Sequence, residues 1–391
     1  MLGTWIQFVA MSWLVYRLTG SALMLGLLGF INQIPILILG PIAGLVTDRV
    51  NRRRLLLCTQ SLALLQALVL ACLAFFGDIQ VWQVIALAGL LGVVNAFDVP
   101  ARQSFIVQMV GGRQDLPNAI ALNSLTMNAT RLVGPAIGGM LVVAVGEATC
   151  FLINAVSFSA ILFALSRIQI VDTPSAKKSY HALSELRIGF RYAFGFAPIR
   201  MLLLELFVIS FLAMPYTTLM PAFVAERFAG NAQTFGLFIG CAGFGAIIAT
   251  MYLASRRNVQ GLGTSIALAA VICGSALVLF SQSHTLWLSQ FLMIFVGFGV
   301  ICHAASINTI LQTIVDEDKR GRVMSFYTMC FVGTAPLGNL FLGQIAQRFG
   351  VATTFLMAGV GCAVAGIIFA LRLATLRQKI AGLPSLRGII P

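Results

Sequence analysis

Charge is the scarcest feature of this 391-residue chain: 9% of its residues are Asp, Glu, Lys or Arg, with 12 acids against 25 Lys and Arg. A soluble domain carries roughly 25% charged residues, so a water-soluble enzyme is excluded. A single anchor on a globular domain is excluded as well, because apolar stretches recur along the whole length. The three His are scattered at 181, 284 and 303, and none of the eight Cys forms a Cys-x-x-Cys pair. That offers no metal site, and the cysteines read as small packing residues. G-x-x-x-x-G-K-[ST], H-E-x-x-H and G-x-S-x-G do not occur. Neither a fused ATPase nor a zinc or serine hydrolase is indicated, and no cofactor is expected. No cleavable leader is expected either, because the first apolar run leads straight into a second.

What fills the chain instead is apolar. Hydrophobic residues make up 59%, and the mean hydropathy is +0.96. Runs fall near 1–16, 22–47, 55–76, 80–107, 118–145, 148–167, 200–225, 233–254, 262–281, 285–314, 323–346 and 351–375, twelve in all. Each is close to the roughly 20 residues that a membrane helix needs. They are continuous rather than alternating, so they predict helices and not the strands of a barrel. The 37 glycines suit helices that pack closely in lipid.

The formal net charge of +13 would suggest nucleic acid if the basic residues were gathered on one surface. They are clustered between spans instead, so no nucleic-acid partner is expected. The loops after even-numbered spans and the C-terminal tail hold 20 of the 25 Lys and Arg, among them Arg49, Arg113, Arg167, Arg256, Lys319 and Arg377. Arg17, Arg227 and Arg348 lie on the other side, and Arg102 and Arg131 lie within spans. By the positive-inside rule this places the even-numbered loops and both termini in the cytoplasm.

The longest polar segment, 168–199, divides two six-helix halves, 1–167 and 200–376, with a tail at 377–391. Within it, 181–196 alternates apolar and charged residues in the manner of an amphipathic helix on the membrane surface. The halves repeat. At an offset of 205, Trp82 meets Trp287, Gly92 meets Gly297 and Gln103 meets Asn308; at 210, Arg17 and Gly20 meet Arg227 and Gly230. Parallel repeats of this kind build transporters whose substrate site lies between the halves. The first span has only 16 residues before Arg17, about 24 Å, so some ten residues upstream of Met1 are expected to be absent from this chain.

Between spans 2 and 3 stand Gly44, Asp48, Arg49, Arg52 and Arg53. Their order resembles the G-x-L-x-D-R-x-G-R-R signature of the major facilitator superfamily, with Val46 for the Leu and Asn51 for the second Gly. Asn tolerates left-handed backbone, which makes that departure mild. Gly44 should allow close helix approach, and the resemblance implies a latch between the cytoplasmic ends of the halves. Span 5 holds Gly134, Pro135, Gly138 and Gly139, resembling the G-x-x-x-G-P-x-x-G-G motif of antiporters in that superfamily, with Thr130 for the first Gly. Together with Trp13–Gly20 and Asp98–Gln103, the motifs resemble the bacterial twelve-helix branch that includes enterobactin exporters and macrolide efflux proteins. The resemblance covers essentially the whole chain. It implies an all-α membrane protein of two six-helix bundles related by pseudo-two-fold symmetry, acting as a monomer in the bacterial inner membrane. It further implies proton-driven export of a small amphipathic molecule by alternating access. A facilitator or symporter, a lysophospholipid flippase of the same fold and, more distantly, a polytopic membrane enzyme are the alternatives.

Charged groups inside spans are costly and functional by default. Arg131 is expected in the substrate cavity, with Asn32, Gln33, Asn128 and Tyr327 as polar cavity groups. Asp98 and Arg102 are four residues apart on one helix face, where they can pair. Asp98, His303 and Glu205 are the proton-coupling candidates, Asp98 foremost, and His303 is the repeat partner of Asp98. The acidic run at 316–318 lies beside Lys319, Arg320 and Arg322 and reads as loop charge.

Overall fold

The computed structural model describes residues 1–77, 79–110, 115–168, 191–256 and 259–381. Most of the expected linker, 169–190, therefore lies outside the described residues, and of the expected surface helix only 191–195 can be described as helical.

The chain runs through α1 (Leu2–Thr19), α2 (Ala22–Arg49), α3 (Arg52–Phe75), α4 (Val81–Met109), α5 (Leu116–Arg167), α6 (Ala197–Ala213), α7 (Tyr216–Phe228), α8 (Ala232–Ala254), α9 (Leu262–Gln282), α10 (Leu286–Ile314), α11 (Glu317–Phe331), α12 (Ala335–Phe349) and α13 (Val351–Ala381). Among the described residues, ten helical stretches are long and apolar enough to cross a membrane. One of them, α5, breaks at Gly146, where φ is 80°, and so makes two passes. With the 18-residue α1, the ten stretches and the second pass of α5 account for twelve spans.

Two spans are interrupted where proline removes a backbone donor. Pro215 separates α6 from α7, and Pro336 follows the break between α11 and α12. A Cβ on Gly338 would overlap the Phe211 carbonyl oxygen, which would have bonded the nitrogen of residue 215. Helix starts are capped locally. Ser21 accepts from the Met24 amide at 3.3 Å, and Asn51 accepts from the Arg54 amide at 3.0 Å, the pattern of an N-cap.

The chain forms two compact units. One comprises residues 1–178 with 220–240, and the other 179–219 with 241–391. In the first, α1 lies along α5, α2 along α4, and α3 against both α4 and α5. In the second, α9 packs on α10 and α13, and α6 meets α10, α11, α12 and α13. The internal repeat is visible within each unit. Helices α4 and α10 are both 29 residues long, and both their ends are offset by 205. A Cβ on Gly92 would strike the Asn32 carbonyl oxygen of α2, and one on Gly297 would strike the Ala242 carbonyl oxygen of α8. Residues 32 and 242 are themselves 210 apart, so the same helix crossing is built twice.

Large apolar side chains such as Leu65, Phe163, Met251 and Trp287 stand outward. In water such a surface would aggregate; here it is what lipid tails solvate. Polar side chains are turned inward instead, as with Gln7, Gln66, Asn154 and His303.

Candidate functional site

Asp98 is buried in α4 and fully engaged. Its Oδ1 accepts from Thr59 Oγ1 at 2.9 Å and from Gln60 Nε2 at 2.7 Å, both on α3. Its Oδ2 lies 3.9 Å from Arg102 Nε. The helix continues through Pro100, so the expected four-residue pairing is kept. Thr59 and Gln60 escaped the sequence reading, since a Thr-Gln pair in an apolar run has no signature of its own.

Gln60, Asp98 and Arg102 line a cavity of about 420 Å³ in the first unit, whose wall also includes Trp5, Asn128 and Arg131. Arg131 is half-buried and has no ion-pair partner among the described residues. A guanidinium offers five fixed donors, and beside apolar Trp5, Met127 and Phe158 it makes a surface suited to an amphipathic molecule with an acceptor or anionic group. Of the other expected cavity groups, Asn32 does not reach this space: its Nδ2 donates to the Ala88 carbonyl at 3.1 Å, tying α2 to α4. Gln33 is half-buried on α2 and does not line it. Tyr327 belongs to the second unit, where its Oη donates to the Ala304 carbonyl at 3.2 Å.

The span 5 motif is a packing seam. Gly134 lies against Trp5 and Gly138 against Ile6 and Val9, all three on α1. A Cβ on Gly139 would overlap the Ala232 carbonyl oxygen, and one on Gly236 would overlap that of Pro135. Only glycine lets the α5 and α8 backbones come so close. A second connection in this unit is a buried chain that the sequence did not announce. Asn154 donates to Gln7 at 2.7 Å, Gln7 to Gln66 at 3.0 Å, and Gln66 to the Leu87 carbonyl at 3.3 Å. Arg17 also reaches Glu147 at 3.0 Å, joining the end of α1 to the bend at Gly146.

The loop between α2 and α3 departs from expectation in two places. Asn51 is not left-handed: its φ is −56°, and it serves as an N-cap. Gly44 does not carry a close helix approach, since no described atom lies within 4 Å of where its Cβ would stand. Arg53 ties this loop to the end of α5, its Nε donating to the Leu165 carbonyl at 2.9 Å and its Nη2 to the Ser166 carbonyl at 2.8 Å. Arg49 is exposed and Arg52 half-buried; the Asp48 side chain lies outside the described residues. Two cysteines also depart from the packing role: Cys58 and Cys72 are exposed. The acidic run starts α11 rather than lying in a loop, with Asp316 on Lys319 at 3.0 Å and Glu317 on Arg320 at 3.9 Å. Acids at a helix start suit its dipole.

In the second unit, Glu205 of α6 and His303 of α10 meet in the core, with Glu205 Oε1 4.0 Å from His303 Nε2. The sequence marked both residues but not their meeting. Glu205 also lines a cavity of about 770 Å³ between α6 and α13, with Arg200 and Arg372 in its wall.

Comparison with known proteins agrees with this architecture. A family model described as "Transmembrane secretion effector" matches residues 1–383. The staphyloferrin A transporter of Staphylococcus aureus is 28% identical over 377 residues, covering 94% of this chain and 92% of that one. The multidrug efflux pump Tap of Mycolicibacterium fortuitum is 25% identical, covering 94% and 91%. Among solved structures, a bacterial homologue of the human lysosomal transporter Spinster superposes with a TM-score of 0.71 at 12% identity, covering 95% of each chain. That likeness speaks for the fold.

Proposed function

The chain belongs to the transmembrane secretion effector family of the major facilitator superfamily, and on that premise we propose that it exports a small amphipathic molecule by proton antiport with alternating access. The relatives are named for a siderophore and for drugs, which supports a substrate of the drug, siderophore or secondary-metabolite class. The observation that carries the reading is the cavity holding Arg131. A guanidinium without an ion pair among the described residues, set among aromatic and aliphatic side chains, can hold an acceptor-bearing amphiphile, while Gln60, Asn128 and Arg102 supply further polar contacts.

Proton drive is supported by two buried carboxylates among the described residues, Asp98 and Glu205, since an intramembrane carboxylate marks a proton or ion path. The charge bias of the loops supports both termini facing the cytoplasm, and the bacterial relatives support an inner-membrane location; a monomer is part of the same proposal. The signature loop between α2 and α3 and the glycine seam of α5 are proposed as gating elements, through Asp48, Arg49, Arg52 and Arg53 and through Gly134, Pro135, Gly138 and Gly139.

The test is uptake into inverted vesicles under an imposed proton gradient, with a panel of macrolides, dyes, catechol siderophores and lysolipids. Gradient-dependent accumulation that a protonophore abolishes is the expected result. Movement that ignores the gradient overturns antiport in favour of a facilitator or flippase.

A further inference from the structure

Glu205 and His303 are out of keeping with their surroundings. They sit among Leu202, Leu203, Leu206, Ala304 and Ile307, in the apolar core of the second unit. The His303 side chain is 1% exposed and that of Glu205 9%. Glu205 Oε1 and both ring nitrogens of His303 have no hydrogen-bond partner among the described residues. A buried polar atom left unpaired costs about 1–3 kcal/mol, and these three atoms are gathered at one place, with Oε1 and Nε2 facing across 4.0 Å. A structural ion pair would have closed this distance and satisfied its remaining atoms. Instead the two atoms stand too far apart for a hydrogen bond, and neither has another hydrogen-bond partner among the described residues.

We infer that the Glu205–His303 pair is the proton-carrying site of the transport cycle, a role that rests on the antiport reading above. A coupling group must be stable in two protonation states, so its environment must not be committed to one. Asp98 is held by fixed partners: Thr59 and Gln60 bond its Oδ1, and Arg102 stands near its Oδ2. Glu205 is not. Loading one proton takes the pair from a net charge of −1 to neutral. The proton sits on the carboxyl, which donates it to the neutral ring after a small rotation. No bond changes other than O–H and N–H. Releasing it leaves an uncompensated buried carboxylate, which gives the empty pair its drive to reload.

The neighbours allow this switching and do not pin it. On α13, Cys362 lies within electrostatic reach of Glu205, and Cys273 of α9 lies within reach of Cys362. On α11, Tyr327 donates its hydroxyl proton to the Ala304 carbonyl. Ser306 Oγ, one turn beyond His303 on α10, and Asn339 Nδ2 on α12 are likewise buried without a hydrogen-bond partner among the described residues. Arg200 and Arg372 stand in the wall of the cavity that Glu205 lines.

The test joins infrared difference spectroscopy to transport, on the full chain in vesicles. As pH falls from about 8 to about 5, where an imidazole-coupled site titrates, the wild type should gain the C=O stretch of a protonated carboxyl. Glu205→Gln should remove that band, His303→Gln should move its midpoint, and Asp98→Asn should leave it. Glu205→Gln should also lose gradient-driven accumulation while keeping substrate binding, which shows that it is folded. A band that survives Glu205→Gln, or no titrating carboxyl in that range, overturns the pair. Gradient-driven transport in Glu205→Gln overturns it while antiport stands. A wild type that ignores the gradient but titrates through Glu205 overturns antiport and the coupling role, and leaves the pair as a proton-binding site.

Discussion

Arg53 at the start of α3 holds Leu165 at the end of α5: its Nε donates to that carbonyl at 2.9 Å, and its Nη2 takes the next one, on Ser166, at 2.8 Å. The last carbonyls of a helix have no partner within it, and a cation there also meets the negative end of the dipole. One arginine of the signature run is therefore a helix C-cap in its own unit.

Arg53→Ala should lower stability by about 1–2 kcal/mol, the range of hydrogen bonds to a charged group discounted for partial exposure. Arg53→Lys should rescue only part of it, because an ammonium lacks the fork that serves two carbonyls at once. Thermal unfolding of the purified protein measures both. Equal unfolding temperatures for wild type and Arg53→Ala would contradict the cap.

Gly139→Val and Gly236→Val should each force α5 and α8 apart, since the added Cβ would overlap a carbonyl oxygen. Overpacking of this kind costs about 1–3 kcal/mol. Gly44→Val should be tolerated by comparison, because its Cβ position is open. Transport and melting temperature of the three variants, side by side, separate a packing seam from glycine content as such.

Arg131→Ala should weaken substrate binding by about 10- to 100-fold, the equivalent of one charge-assisted hydrogen bond of about 1.5–3 kcal/mol. The fold should survive, since Arg131 has no ion pair to break among the described residues. Asp98→Leu should behave differently and lose stability, because it strands the Gln60 donor and takes an acceptor from Thr59. Asp98→Asn keeps an acceptor oxygen for them and should remain folded. Binding titrations together with unfolding curves distinguish these outcomes.

A pH-dependent contact is expected outside the spans. The hydrogen bond from Lys319 and its charge hold the Asp316 carboxyl below its usual range, with Tyr192 as a further donor. A depressed carboxylate contributes stability above its unfolded value and loses it as pH falls through the folded one. The bond from Tyr192 Oη to Asp316 at 3.3 Å should therefore persist at neutral pH and weaken in acid, below the ordinary Asp range near ~3.9. The ultraviolet difference spectrum of Tyr192, referenced to Tyr192→Phe, reads this. A signal flat down to about pH 2 would count against it.

The sequence by itself determined the class, the number of spans and the repeat. Lipid cannot satisfy backbone polar groups, so every long apolar run had to be a helix. The offset of 205 then paired Gly92 with Gly297 in the corresponding span of each half. Only the tertiary structure decided which side chains meet. A helix in lipid is apolar on all sides, so the stripe that marks the buried face of a water-soluble helix is absent, and periodicity does not say where a side chain points. Asn32 therefore bonds the Ala88 carbonyl of α4, and Arg53 found residues 165 and 166. Asp98 acquired Thr59 and Gln60, whereas His303, its repeat partner, acquired Glu205 and no hydrogen bond. The two positions are equivalent in sequence and differ in chemistry, because neighbours from distant spans complete each of them.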